Sequence, residues 1–286
     1  MAFADHLFEG GLRIGAAGWH TQPAYVENRL GLHAGGQLYY HWISSEVVGL
    51  RVGLNIDCHN TALGKRDYED GYSTLDVDDQ QLDIAYSIGS LQERYRIWSI
   101  GVPLQVSFTY RNFSLLAGPK AVFPLSASWQ QSIENAALTV YFPDYDNLVE
   151  DSYALAASPD FSYRQDGRFT LPKVQWWGAV ELRYAIPLNT WARNYRSYLT
   201  VGVYADYCFT RFTPEQSEAE CLIRLTDTRD GFPLRRLYTS VLEGNRQGQK
   251  LVTDIRPFDV GITVSYAISP FDPHSAAKHS CHCLGK

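Results

Sequence analysis

Long hydrophobic runs are what this sequence most clearly lacks. No stretch of about 18 or more consecutive apolar residues occurs in the chain. A membrane-spanning helix needs about 20 such residues, so helical membrane proteins are excluded. A membrane-spanning β-barrel is not excluded, because only every second residue of its strands has to be apolar.

Three other features are missing. The net charge of −6 offers no basic face for nucleic acid. The five cysteines, at positions 58, 208, 221, 281 and 283, are odd in number and show no repeated spacing, which argues against a disulfide framework. The first 15 residues contain neither the basic nor the apolar region of a signal peptide. For an exported protein, we expect that signal to have been removed before this numbering begins.

What the sequence does contain is strict alternation. In residues 48–59 every even position is apolar, whereas the odd positions carry glycine, Arg51, Asn55, Asp57 and His59. A period of two predicts a β-strand with one apolar and one polar face. Similar alternation recurs, to different degrees, in seven other stretches: 11–19, 31–43, 96–110, 113–125, 174–186, 198–209 and 258–268.

These eight stretches have the length that a tilted strand needs to cross a bilayer. Short connections at 44–47, 111–112 and 187–196 alternate with long ones at 60–92, 127–172 and 211–254, which we predict to be surface loops. The pattern predicts an all-β, eight-stranded antiparallel up-and-down transmembrane β-barrel with long extracellular loops and short periplasmic turns. Residues 1–10 would form a periplasmic segment, 11–268 the barrel and 269–286 a polar tail.

The two faces of the strands differ in charge. The central apolar face carries no Asp, Glu, Lys or Arg, and Arg96, which shares its parity, lies at a strand end. Because eight strands enclose a lumen that side chains just fill, we expect the polar face to form a paired network inside it. The predicted lumen network is Arg13, Arg51, Asp57, Lys120, Glu181, Arg183, Asp206 and Asp259. A narrow or gated channel is the alternative.

Aromatic residues cluster near the predicted strand ends, where amphipathic rings suit the headgroup level of a bilayer. The predicted girdle is Tyr40, Trp42, Trp98, Phe113, Tyr184, Phe209 and Tyr266. This placement favours a membrane barrel over a soluble lipocalin-like barrel or sandwich with the same alternation.

The central hairpin, IWSIGVPLQVSFTYRNFSLLAGPKAVFPL, and the closing strand, DVGITVSYAI, resemble small outer-membrane β-barrel proteins of the OmpA-barrel and porin-family type, as in Bacteroidetes. The resemblance is one of pattern and covers the barrel. It implies a fold and a bacterial outer-membrane location rather than an activity. The chain departs from the family in lacking a signal peptide, in continuing beyond the last strand and in having no peptidoglycan-binding domain.

We therefore predict a structural or interaction subunit of the outer membrane. By resemblance, it could belong to a secretion or barrel-assembly complex. Its expected partners are membrane lipid, lipopolysaccharide and proteins bound through the loops or the tail, with no nucleic acid. The alternatives are a porin-like channel for small solutes and a lipid-modifying enzyme.

No enzyme, catalytic residue, cofactor or metal is predicted. His41, His59 and several serines are present, but no spacing selects a catalytic pair. The loop acids Asp76, Asp78 and Asp79 lack the spacing of a calcium loop. The tail offers soft metal ligands in an unpatterned stretch, namely His279, Cys281, His282 and Cys283.

Overall fold

The structure, a computed structural model, describes residues 5–22, 25–44, 47–75, 81–143, 147–150, 161–188, 196–213, 221–226, 235–246 and 249–269. The strands in these ranges are β1 (Asp5–Gln22), β2 (Glu27–Arg29), β3 (Gly31–Ile43), β4 (Val48–Leu75), β5 (Gln81–Tyr110), β6 (Phe113–Phe142), β7 (Asn147–Glu150), β8 (Phe161–Arg168), β9 (Gln175–Leu188), β10 (Arg196–Cys208), β11 (Ile223–Thr226), β12 (Arg235–Tyr238), β13 (Asn245–Arg246), β14 (Gln249–Lys250) and β15 (Thr253–Ser269).

Eight of these strands close into a ring. The hydrogen-bonded order is β4, β3, β1, β15, β10, β9, β6 and β5, and β5 pairs again with β4. Each of the eight strands pairs antiparallel with the one that precedes it and the one that follows it in chain order. The last strand, β15, pairs with the first, β1. The predicted eight-stranded up-and-down barrel is therefore confirmed. Each predicted strand lies in one of these eight, except that Val174 and Phe209 fall one residue outside β9 and β10.

The barrel begins earlier than the sequence suggested. Strand β1 starts at Asp5, and Phe8 pairs with Ile268 on one side and with Tyr40 on the other. Most of the segment 1–10, predicted to precede the barrel, therefore belongs to its wall. The wall ends at Ser269 of β15, and the rest of the predicted tail, like the acids at 76–79, lies outside the described residues.

The outer surface of the barrel is an apolar band. All eight strands expose large apolar side chains on it, among them Leu12, Leu38, Leu54, Val106, Leu115, Leu182, Val203 and Ile262. On β5 the band runs from Trp98 to Phe108, which are separated by ten residue-to-residue steps. At about 3.3 Å per residue and a tilt of about 40°, this is a height of about 25 Å, which matches the apolar band of an outer-membrane barrel. An exposed apolar surface this large needs a lipid environment.

The predicted long loops at 60–92 and 127–172 are largely wrong, because strands continue through them. Strands β4, β5 and β6 are 28, 30 and 30 residues long and run well beyond the apolar band on the side away from the short turns. We call residues 60–75, 81–97 and 126–142 the outer wall. Strands β7 and β8 extend it along β6, and β2 pairs with β4.

Alternation is hard to see in the outer wall because the polarity of the two faces is exchanged where the band ends. On β5, Trp98 faces outward within the band, and the next outward residues are Arg96 and Arg94. The inward residues change from Ser99 to the buried apolar Ile97. The outer wall therefore has a polar outside and an apolar inside, as a water-soluble sheet has.

A second change shifts the inward parity by one residue. Asp67 lies opposite Gly89, which lies opposite Asn135, so that the shift crosses three strands in one line. Both Asp67 and Asn135 adopt positive φ, 50° and 54°. On the side of this line nearer the apolar band Leu91 faces inward, and on the far side Ile88 faces inward.

A conventional hydrophobic core fills the inside of the outer wall. The third predicted loop, 211–254, supplies much of it, which corrects the prediction that this stretch lies on the surface. We call residues 221–226, 235–246 and 249–252 the cap. Its buried apolar residues and a cysteine pack against buried apolar and tyrosine side chains of the wall. The cap residues are Cys221, Leu222, Ile223, Val241, Leu242, Leu251 and Val252, and the wall residues include Leu63, Tyr68, Tyr86, Ile88, Leu91, Tyr95 and Ile133.

Glu93 fastens the cap to the outer wall from within this core. Its carboxylate accepts hydrogen bonds from Ser240 Oγ, from the backbone N–H of Val241 at 2.8 Å and from Gln131 Nε2 at 2.9 Å. These bonds favour the charged form, but burial outweighs them and raises the pKa of Glu93 to about 7.

This pKa predicts a pH-dependent attachment of the cap. Because the pKa of Glu93 is higher in the folded chain than its ordinary value of 4.5, the folded state binds the proton more tightly. The contribution of the protonated Glu93 to the free energy of unfolding is complete below about pH 4.5. As the pH rises to about 7, up to about 3 kcal/mol of it is lost. Urea unfolding of the wild type and of Glu93→Gln at pH 4.5, 6 and 8 measures it. The variant should show a shallower pH dependence, and equal slopes in the two proteins would contradict the assignment.

Candidate functional site

The barrel lumen holds a set of buried charged side chains that form ion pairs with one another. At the end near the short turns, Glu9 accepts a hydrogen bond from Arg183 at 2.6 Å, and Arg51 donates to Glu181 at 2.9 Å. His41 contacts both Arg183, at 3.0 Å, and Ser107, at 2.7 Å. These groups come from five strands, so that the cluster ties opposite walls of the barrel together.

A second cluster lies in the middle of the lumen. Lys120 Nζ is 2.9 Å from Asp57 and 3.2 Å from Asp206, and Asp206 is also 2.9 Å from Arg13. All four side chains are buried. Buried charges are tolerated only when they are paired in this way, since desolvation of an unpaired one costs several kcal/mol.

A third cluster contains histidines at the outer end of the lumen. His33 Nε2 is 3.2 Å from Asp57 Oδ1, and His59 Nδ1 is 3.0 Å from Asp259 Oδ1. His33 and His59 are directly paired across β3 and β4, and their ring centroids are 4.8 Å apart. Ser99 Oγ is 3.3 Å from His59 Nε2.

These clusters fill the lumen. The guanidinium of Arg51 lies 3.5 Å from the centre of the Tyr39 ring, and that of Arg13 lies 3.8 Å from the Tyr204 ring. The cavity between Arg13, Lys120, Glu181 and their neighbours leaves no space for a water molecule. The core of the outer wall and the cap, which includes Ile97 two positions beyond Ser99, lies over the outer end of the lumen. The barrel therefore has no continuous aqueous path among the residues described.

All eight residues of the predicted lumen network face inward and are buried. Seven of them, all except Asp259, lie in the first two clusters, and Asp259 meets His59 in the third. Sequence reasoning missed Glu9 and the three inward histidines, His33, His41 and His59. The parity of Glu9 matches that of Arg13, and this signal could have identified it.

The seven predicted girdle aromatics all lie on the outer surface, partly or largely exposed. The strand register separates them into two levels. Tyr40, Trp42, Phe113, Tyr184 and Tyr266 lie near the short turns, and the Phe113 and Tyr184 rings are 4.9 Å apart. Trp98 and Phe209 lie at the other edge of the apolar band.

The geometry defines a class: a membrane-spanning eight-stranded β-barrel with an occluded polar lumen and a folded outer wall. The described residues include no helix with the length and apolar character needed to cross a bilayer. No family model matches the chain, and no curated protein does.

Three solved structures resemble it weakly. Ail of Yersinia pestis, in complex with the heparin analogue sucrose octasulfate, is 8% identical, with a TM-score of 0.31 over 92% of this chain and 99% of that one. CarO2 of Acinetobacter baumannii is 12% identical, with a TM-score of 0.25 over 88% and 99%. A FadL homologue of Pseudomonas aeruginosa is 7% identical, with a TM-score of 0.16 over 94% and 90%. At these scores the likenesses carry no argument, and the class rests on this chain's own geometry.

Proposed function

We propose that the chain is an integral barrel of a bacterial outer membrane that acts as a closed anchor for its outer wall and cap, as a structural or interaction subunit. The observation that carries the proposal is the lumen, which is filled by paired charges while the apolar band faces outward. Bacterial barrels that span membranes with strands are proteins of the outer membrane.

The outer wall provides the surface for partners. It is a folded unit with its own core, and its outward side carries exposed charges such as Arg66, Arg94, Arg96, Arg164 and Arg168. We propose that the wall contacts partner proteins and lipopolysaccharide, while the band contacts lipid. A place in a secretion or barrel-assembly complex is part of the same proposal and agrees with the resemblance of the central hairpin and closing strand.

The occlusion of the lumen favours an anchor over a porin-like channel. It also bears on a lipid-modifying enzyme, because such an enzyme needs its reactive groups at a surface that an acyl chain reaches. The two Ser–His contacts found in the described ranges, His41 with Ser107 and His59 with Ser99, both point into the lumen, and both serines are buried.

Conductance across a planar bilayer tests the proposal. Chain that is folded into the bilayer, and whose gel migration shifts on boiling, should produce no steady conductance steps, because no water-filled path crosses the lumen. A general diffusion porin in the same bilayer is the positive control. Stable steps from the wild-type chain would overturn the closed-anchor function in favour of a channel.

A further inference from the structure

We propose that His33, Asp57 and His59 form a binding site for a divalent transition-metal ion inside the barrel, with Zn²⁺ the best-matched candidate. One ligand atom from each of the three residues lies within 4.8 Å of the others. Two histidines and one carboxylate, projecting from neighbouring positions of two adjacent strands, supply a compact set of nitrogen and oxygen donors.

The backbone holds these donors on one side of the lumen. His33 and His59 face each other across the β3–β4 ladder, and Asp57 lies two positions before His59 on the same inward face. A metal–ligand distance of about 2.0–2.2 Å requires donors about 3.5 Å apart, so the side chains have to close in by about 1 Å. The proposal requires the imidazoles to rotate about their side-chain bonds by this amount while the β3–β4 ladder stays in place.

Each histidine also has a second group that orients it. His33 Nδ1 is hydrogen-bonded to the Tyr204 hydroxyl, and His59 Nδ1 is 3.0 Å from Asp259 Oδ1. Metal-binding histidines in proteins almost always hold their other ring nitrogen in such a contact, which fixes the tautomer and the ring orientation. Lys120 binds Asp57 through Oδ2, and the other oxygen, Oδ1, lies 3.2 Å from His33 Nε2. A metal ion would take the place of that contact and bind both of these atoms.

The charge of the lumen supports a bound cation. Within the barrel the described residues place five carboxylates, Glu9, Asp57, Glu181, Asp206 and Asp259, against four permanent cations, Arg13, Arg51, Lys120 and Arg183. The carboxylate without a permanent cationic partner is Asp259, which lies beside His59. Its Oδ2 atom is buried and has no hydrogen-bond partner among the described residues.

A small cavity adjoins the cluster and gives an incoming ion or a ligand water a place. It is lined by His59, Asp259, Ser99, Trp19 and Trp177, among others, and its volume is about 10 Å³, enough for one water molecule. The mixed imidazole and carboxylate donors favour Zn²⁺ and similar ions over Ca²⁺ or Mg²⁺, which prefer oxygen ligands only.

The test is a calorimetric titration in which zinc chloride alone is added to the full-length folded chain in detergent micelles. The four residues of the C-terminal stretch whose side chains could ligate a metal are replaced in every sample (His279→Ala, Cys281→Ser, His282→Ala, Cys283→Ser), so that they do not contribute. We expect one saturable site per chain. His33→Ala should weaken it by at least about 100-fold, because loss of a direct ligand exceeds the 10–100-fold effect typical of a supporting residue.

His41→Ala is the matched control, because His41 lies on the same strand and the same inward face but outside the cluster. It should leave zinc affinity unchanged. If His33→Ala no longer shows the gel shift of a folded barrel, His59→Gln, which keeps a polar group at the site, replaces it as the test variant. A cobalt titration adds a spectroscopic readout, since nitrogen and oxygen donors give no thiolate-to-cobalt charge-transfer band.

Three results would overturn the proposal: no saturable zinc binding, equal affinity in the parent chain with the four C-terminal replacements and in the folded His33 or His59 variant made from it, or a thiolate band with cobalt. None of them bears on conductance, so the metal site and the closed-anchor function fail independently.

Discussion

Replacing Lys120 by methionine should destabilise the folded barrel by about 3–5 kcal/mol. Lys120 is the cation that Asp57 and Asp206 share in the middle of the lumen, at 2.9 Å and 3.2 Å. Its removal leaves two buried carboxylates with too few partners, and the cost is the desolvation of charge that is no longer compensated. Urea unfolding in detergent, followed by the loss of the gel shift on boiling, measures the change.

Two further variants separate this cause from a loss of side-chain packing. Lys173→Met makes the same substitution at an exposed position and should change stability by no more than about 0.5 kcal/mol. Adding Asp57→Asn and Asp206→Asn to Lys120→Met removes the uncompensated charges and should recover part of the loss. If the triple variant were no more stable than Lys120→Met alone, uncompensated charge would not be the explanation.

The second large effect concerns the apolar band. Leu182 lies at mid-height on β9, is 47% exposed and pairs with Leu115 and Val203, both also outward-facing and apolar. In a bilayer, Leu182→Arg should cost about 2–4 kcal/mol, the range for arginine at the midplane of a barrel's lipid-facing surface. The measurement is the free energy of unfolding from phospholipid vesicles.

Gln130→Arg is the matched control for depth. Gln130 also faces outward, but it lies on the outer wall beyond the band, between Arg94 and Asp166. An arginine there remains in water and should change stability by less than about 0.5 kcal/mol. Equal costs at the two positions would show that the band does not contact lipid.

The barrel itself could be predicted from the sequence because both of its faces are chemically consistent. Inside the band every outward position is uncharged, while Arg13, Arg51, Lys120 and Asp206 all fall on the inward parity. This segregation over eight strands specifies the strand positions and the faces, since a slip of one residue would turn the apolar side chains into the lumen and the charges toward lipid.

The outer wall could not be predicted in the same way, because the rule that identifies strands changes along a single strand. On β5 the apolar side chains face outward from Phe108 back to Trp98 and face inward from Ile97 towards the start of the strand. At Gly89 the inward-facing positions also change from odd to even numbers. A search for one continuous alternation reads these two changes as a loop. The acidic residues of the stretch strengthened that reading, although Asp67, Glu69, Asp70 and Asp83 lie on strands β4 and β5.

The cap and the histidine cluster depend on contacts between parts of the chain that are distant in sequence. Leu222 and Val241 are buried because the outer wall faces them, and Glu93 receives two of its hydrogen bonds from residues almost 150 positions away. His33 and His59 come together through the register of β3 and β4. The spacing of residues within one strand does not determine that register. Neither the cap nor the histidine cluster could therefore be predicted from one segment alone.

The most direct test of the central claim uses the wild-type chain, folded into lipid nanodiscs that contain a nitroxide near the end of an acyl chain. Methyl NMR signals from residues close to the nitroxide broaden. Signals of Leu182, Val203 and Ile262 in the apolar band should broaden most, whereas those of Leu63, Ile88 and Leu222 in the core of the outer wall and cap should persist. Similar broadening in the two groups, or none in the first, would contradict a barrel that crosses the bilayer with its outer wall in water.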